Sequence, residues 1–230
     1  MNNRERIWEV DFLRGIAILL MVVFHLIFDL NEYLSYPLSY SDGFWYYIGK
    51  AAASLFILLC GISAHLSGRT LRHGLIVFLW GMLLTVVTYI YVPALYIRFG
   101  VLHLLGLSLL SYPFIRSWPP ALALLLAIGV MAAGPTIAVT KAATDWLLPV
   151  GVTSPAFASL DFYPLIPWYG LFLLGSLLGR LAYPQKATLL PAVKCCSWLI
   201  VLGRHSLLIY LVHQPLLLVV LLLLRRLALL

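Results

Sequence analysis

Seven long apolar stretches separated by short polar segments run along the chain, at residues 12–30, 46–67, 74–92, 100–115, 120–140, 163–183 and 198–224. A helix needs about 20 apolar residues to cross a bilayer. The pattern therefore predicts an all-α, polytopic integral-membrane bundle of about seven transmembrane helices, forming one domain over residues 1–230. Backbone groups in hydrocarbon must bond within their own segment or within a closed barrel, and no stretch alternates as barrel strands do. The fourth stretch is short, and Gly203, Arg204 and His205 interrupt the last. Asp11 and Arg14 open the first stretch, which is long enough to span and lacks a small-residue cleavage site. A retained helix is expected there rather than a signal peptide.

Composition sharpens this picture. Of 230 residues, 63% are hydrophobic and 10% charged, where a soluble domain carries about 25% charged residues. That excludes a soluble or disordered chain. The formal charge of +7 reads as loop bias rather than as a nucleic-acid footprint. With a cytoplasmic N-terminus, the inner side holds Arg4, Arg6, Arg69, Arg72, Arg116, Arg180, Lys186 and Lys194. The outer side then holds Lys50, Arg98 and Lys141 with Glu32, Asp42, Asp145 and Asp161, as the positive-inside rule asks. A plasma (inner) membrane location is expected. Arg225 and Arg226 disagree, since seven crossings place them outside. Cys60, Cys195 and Cys196 have no disulfide or zinc spacing. No Gly-rich phosphate loop, HExxH or CxxC appears, which disfavours a nucleotide hydrolase, a zinc protease or a thiol redox enzyme, and no metal is expected. Gly175 and Gly179 form a GxxxG in the sixth stretch, suited to close helix approach.

An ionisable group at membrane depth is costly and marks a functional suspect. The first stretch holds Asp11, Arg14, His25 and Asp29. Eleven steps of helix return to within about 20° of the start, so Arg14 and His25 share a face about 16 Å apart along the axis. Asp11 and Asp29 continue the stripe by one turn at either end. A carboxylate one turn from an imidazole can hold one ring N–H and leave the other nitrogen as a base. Arg14 offers a fork for a phosphate or carboxylate. The plainer alternative has Arg14 reaching the interface, Asp11 pairing with it and His25 bonding a neighbouring helix. Arg98 and His103 open the fourth stretch, and Asp161 precedes Pro164, Pro167 and Trp168. Arg204, His205, Tyr210 and His213 add polar groups late in the chain. His65 and His73 lie beside Arg69 and Arg72 and read as solvated.

The run Val10-Asp-Phe-Leu-Arg-Gly-Ile-Ala-Ile-Leu-Leu-Met-Val-Val-Phe-His25 resembles the first helix of the transmembrane acyltransferase superfamily. The resemblance continues through Ser54–Ser63, Phe99–Gly106, Pro164–Gly170 and Gly203–His213, in order along the chain. It is nearest to small prokaryotic relatives of the heparan-alpha-glucosaminide N-acetyltransferase catalytic domain. The O-acyltransferase branch is marked by arginine, ten residues, then histidine, which Arg14 and His25 match. The chain departs in having fewer spans than typical members, and no histidine in the loop 31–47, where the heparan enzyme uses one.

The resemblance implies transfer of an acetyl group from cytoplasmic acetyl-CoA to a sugar or similar acceptor on the other side. His25 is then the expected general base, oriented by Asp29. Arg14, Arg69, Arg72, Arg180 and Lys186 are expected to hold the donor's phosphates. Arg98, His103, Asp161, Arg204, His205 and His213 are expected around the acceptor. The partners are acetyl-CoA, a glycan or small-molecule acceptor and membrane lipid, not nucleic acid, with a homo-oligomer left open. Two other classes compete: a proton-coupled transporter or flippase using the stripe as a relay, and a non-catalytic lipid- or protein-binding bundle.

Overall fold

The computed structural model describes residues 6–191 and 197–227; Arg4, Lys194, Cys195 and Cys196 lie outside the described residues. The helices are α1 Trp8–Leu34, α2 Gly43–Leu66, α3 Thr70–Tyr91, α4 Val101–Ile115, α5 Pro120–Ala132, α6 Gly134–Val139, α7 Leu165–Ala182, α8 Ser197–Arg204 and α9 Ser206–Arg226. Among the described residues no strand forms beyond two isolated bridges, Phe99 with Phe162 and Lys141 with Thr153. Six segments are long and apolar enough to cross a membrane: α1, α2, α3, α5 continued by α6, α7 and α9. The expected helical membrane bundle is what the chain forms. The break expected at Gly203–His205 separates α8 from α9.

The chain divides into two compact units. The first takes residues 1–56 and 186–230, the second 57–185.

In the first unit, α8 lies against the start of α1 through glycine on both sides. A Cβ at Gly15 would sit 2.0 Å from the Leu199 carbonyl oxygen, and one at Gly203 would sit 1.7 Å from that of Asp11. Helix α9 runs parallel to α1. Arg204, just before α9, meets Asp11, His213 meets His25, Gln214 meets Asp29, and Arg225 donates to the Tyr33 carbonyl at 3.1 Å. The basic end Arg225–Arg226 therefore lies with the C-terminal end of α1. Below it, the buried Glu9 carboxylate accepts the N–H groups of Leu189 and Leu190 at 2.5 and 3.2 Å, tying the loop before α8 to the start of α1.

In the second unit, α3 and α4 are antiparallel, with Gly74 against Leu110, Phe78 against Gly106 and Gly81 against His103. Helices α5 and α7 are also antiparallel, Gly134 facing Pro167 and Gly170 facing Ala127. The last part of α2 runs parallel to α7, pairing Leu58 with Gly175 and Ile62 with Gly179. Two parallel spans with α3, α4 and α5 between them are consistent only if α4 also crosses. At 15 residues α4 is about 22 Å long, short of the hydrocarbon thickness of about 30 Å. Burial explains the tolerance: ten of its residues are buried, among them the first six, so protein rather than lipid surrounds its start.

Candidate active site

The first unit holds the densest polar group at membrane depth. The His25 and His213 rings meet edge to face, with centroids 4.7 Å apart. Each ring bonds through Nδ1 to a carbonyl of its own helix, His25 to Met21 at 2.9 Å and His213 to Tyr210 at 2.7 Å. A carbonyl only accepts, so each Nδ1 carries the hydrogen, and in the neutral ring each Nε2 presents its lone pair. The two bonds thus favour, for each neutral ring, the tautomer with Nε2 free to accept a proton.

One turn further along, Gln214 Nε2 donates to Asp29 Oδ1 at 2.6 Å. Asp29 is fully buried. Three buried acceptors in this stretch, Asp29 Oδ2, Gln214 Oε1 and His213 Nε2, have no hydrogen-bond partner among the described residues. Leaving such a group unpaired costs about 1–3 kcal/mol each.

Asp29 was expected to orient His25; in the structure its hydrogen bond comes from Gln214. Its carboxylate is met by an amide from the facing helix, and the His25 ring is oriented by the backbone at Met21 instead. The reason is local: a helical histidine reaches its own i−4 carbonyl without help from a second side chain. Gln214 was missed, although a lone amide in an apolar run just before Pro215 was visible in the sequence.

At the other end of the stripe, Arg14 Nη1 pairs with Asp11 Oδ1 at 3.2 Å and Arg204 Nε with Asp11 Oδ2 at 3.4 Å. The sequence suggested the Arg14–Asp11 pair but not the second arginine. His205 is exposed at the break between α8 and α9, where it caps the start of α9. Lys186, also in the first unit, is exposed.

The second unit carries the other expected residues. Arg69 and Arg72 are exposed at the start of α3, and Arg180 donates to the Trp118 carbonyl at 2.8 Å. Asp161 Oδ2 accepts the Val101 N–H at 2.9 Å, capping α4 from sixty residues away. Gly100 leaves room for this, since a Cβ there would lie 2.2 Å from the same oxygen. His103 accepts the Gly100 N–H on Nδ1 at 3.2 Å, so its Nε2–H faces Thr85 Oγ1 at 3.3 Å. Both ring nitrogens are engaged within the fold. His103 and Asp161 were expected around the acceptor; their bonds build the entry to α4.

Arg98 is ion-paired with Asp145, and its guanidinium lies 4.9 Å from the Tyr96 ring centroid and 5.3 Å from that of Phe157. The Ser154 N–H donates to Asp145 Oδ1 at 2.9 Å. That bond, aided by the Ser154 hydroxyl and Arg98, holds the Asp145 carboxyl below its ordinary 3.8. A lowered value means the charged form is favoured by the fold, so the contribution is fully present above 3.8 and lost as pH falls through the lowered value. We expect the Ser154 amide to lose protection from hydrogen exchange as the pH is taken below that range. Asp145→Asn should abolish this acid dependence; an unchanged profile would show that another group holds the loop.

The fold defines a polytopic helical membrane bundle, and two histidines, a glutamine and an aspartate meet between α1 and α9. Residues 6–215 match the family described as heparan-alpha-glucosaminide N-acetyltransferase, catalytic, and the chain belongs to that family. It is thus a member of a transferase family embedded in a membrane. No curated protein and no solved structure matches it.

Proposed function

We propose that the protein moves an acetyl group from acetyl-CoA to the primary amine of a sugar or similar small acceptor. One observation supports this reading: three buried acceptors without a hydrogen-bond partner among the described residues, Asp29 Oδ2, Gln214 Oε1 and His213 Nε2, stand beside the paired histidines. A primary ammonium brings three N–H donors and a positive charge, which suits Asp29, Gln214 and His213. A hydroxyl brings one donor and suits the group less well.

In the proposed reaction, His25 Nε2 takes a proton from the bound ammonium. The freed amine attacks the thioester carbonyl; the new C–N bond forms and the C–S bond breaks. The departing thiolate takes the second nitrogen proton and leaves as the thiol. The proton on His25 passes to solvent, so the products are an acetamide, coenzyme A and one proton. His213 shares the load on the imidazolium that forms, and Asp29 offsets its charge. The Arg14 end, taken as cytoplasmic on the positive-inside rule, receives the donor. About 16 Å of helix separates Arg14 from His25, a distance an extended pantetheine arm spans.

The test uses the purified full-length chain with acetyl-labelled acetyl-CoA. Glucosamine should become labelled, and N-acetylglucosamine, whose amine is blocked, should not. Equal labelling of both would replace the amine with a hydroxyl acceptor. Labelling of neither, across a panel of amines, would end the reading.

A further inference from the structure

Asp29 is fully buried, and no ion pair reaches it among the described residues. Its hydrogen bond comes from a neutral amide, Gln214 Nε2 donating to Oδ1 at 2.6 Å. A buried carboxylate is costly unless a cation or enough donors meet it. The amide brings one donor to Asp29 and no charge. Asp29 Oδ2 and Gln214 Oε1 are both left without a partner among the described residues. The identity of that amide oxygen follows from its nitrogen, which alone can bond a carboxylate that only accepts.

The surrounding groups do not change this balance. On α1 the titratable side chains one turn to either side of Asp29 are His25, Glu32 and Tyr33. His25 bonds the Met21 carbonyl, and Glu32 accepts from the Tyr40 hydroxyl at 2.5 Å. On α9 the neighbour is His213, 7% exposed, whose Nε2 also lacks a partner among the described residues. The next cation along α9, Arg225, bonds the Tyr33 carbonyl at 3.1 Å.

We infer that Gln214 sets the acceptor specificity of this site. Its N–H supports the ionised form of Asp29 without neutralising it, so the negative charge remains for a ligand. A protonated amine is then taken in preference to the hydroxyl of an otherwise identical sugar. An arginine or lysine in the place of Gln214 would complete the ion pair within the fold. This rests on the function proposed above and names the residue that separates amine from hydroxyl.

The experiment measures equilibrium binding of labelled glucosamine and labelled glucose, which differ only in carrying an ammonium or a hydroxyl at one carbon. Acetyl transfer to glucosamine is followed alongside. The proteins are the purified full-length wild type, Gln214→Met, Gln214→Glu and Asp29→Asn. The wild type should prefer glucosamine. Methionine keeps the length of the stem and removes both donor and acceptor, so the preference should fall about tenfold or more, the size of one charge-assisted hydrogen bond. In Gln214→Glu two carboxyl groups share one proton, which keeps both the bond to Asp29 and the single negative charge. That variant should retain most of the preference, which a packing role alone does not require. Asp29→Asn should lose the preference as methionine does, and it decides the matter if Gln214→Met does not fold.

An unchanged or increased preference in folded Gln214→Met, or in Asp29→Asn, would overturn the inference. So would an equal fall in the methionine and glutamate variants, or a wild type indifferent to the two sugars. A wild type that prefers glucosamine through Gln214 but never acetylates it would end the proposed function and leave the specificity site in place. Acetyl transfer to glucosamine with a preference that ignores Gln214 would do the reverse.

Discussion

Replacing His25 by alanine is expected to lower acetyl transfer by about 10²- to 10⁴-fold, the usual contribution of a positioned general base. The Nδ1 bond to Met21 stays within one helix, so its loss removes little stability, and the variant should elute and melt much as the wild type does. Alanine at His213 should also slow transfer, because its ring lies 4.7 Å from His25 and its Nε2 is buried among the unpaired acceptors. The double variant carries the sharper information. Groups that act as one unit lose their function once, so His25→Ala with His213→Ala should be scarcely slower than the worse single variant. Multiplicative losses would mean that the two rings serve separate steps. A fully active His25→Ala would remove the imidazole from the chemistry altogether.

A second large effect should come from a single methyl group. Gly203→Ala places a Cβ 1.7 Å from the Asp11 carbonyl oxygen and 3.0 Å from the Gly15 nitrogen. These neighbours are backbone and cannot rotate away, so α8 must separate from α1. Overpacking costs about 1–3 kcal/mol where side chains can adjust, and here the cost should reach or exceed the upper end. Gly129→Ala is the matched control. No atom lies within 4 Å of its added Cβ, and a mid-helix glycine replaced by alanine gains about 0.5–1 kcal/mol. The two variants should therefore shift thermal unfolding in opposite directions. Similar melting temperatures would show that the α1–α8 contact is loose.

Much of this was legible before any coordinates. The apolar runs marked the spans because membrane thickness imposes a length on every crossing helix, whatever it packs against. The break at Gly203–His205 stood out as polar residues in an otherwise apolar run. His25 and Asp29 stood out for the same reason, since ionisable groups are rare at that depth. Their own spacing placed them on one face of α1.

Partners were another matter. In a membrane bundle the faces toward lipid and toward protein are both apolar, so the hydrophobic pattern does not say which side of a helix meets another. Helix α3 is the plain case: it is apolar along its length, and its contact with α4 runs through Gly74 and Gly81. The pairing of His25 with His213, the Gln214 amide on Asp29 and the second arginine on Asp11 each join positions more than 180 residues apart. The cap that Asp161 places on α4 spans sixty residues. Chain order alone thus set where the apolar spans run and which of them carry charge, because water and hydrocarbon impose those terms residue by residue. Which charges face one another followed from close approach at a few glycines, a matter of shape that appears only once the helices are packed.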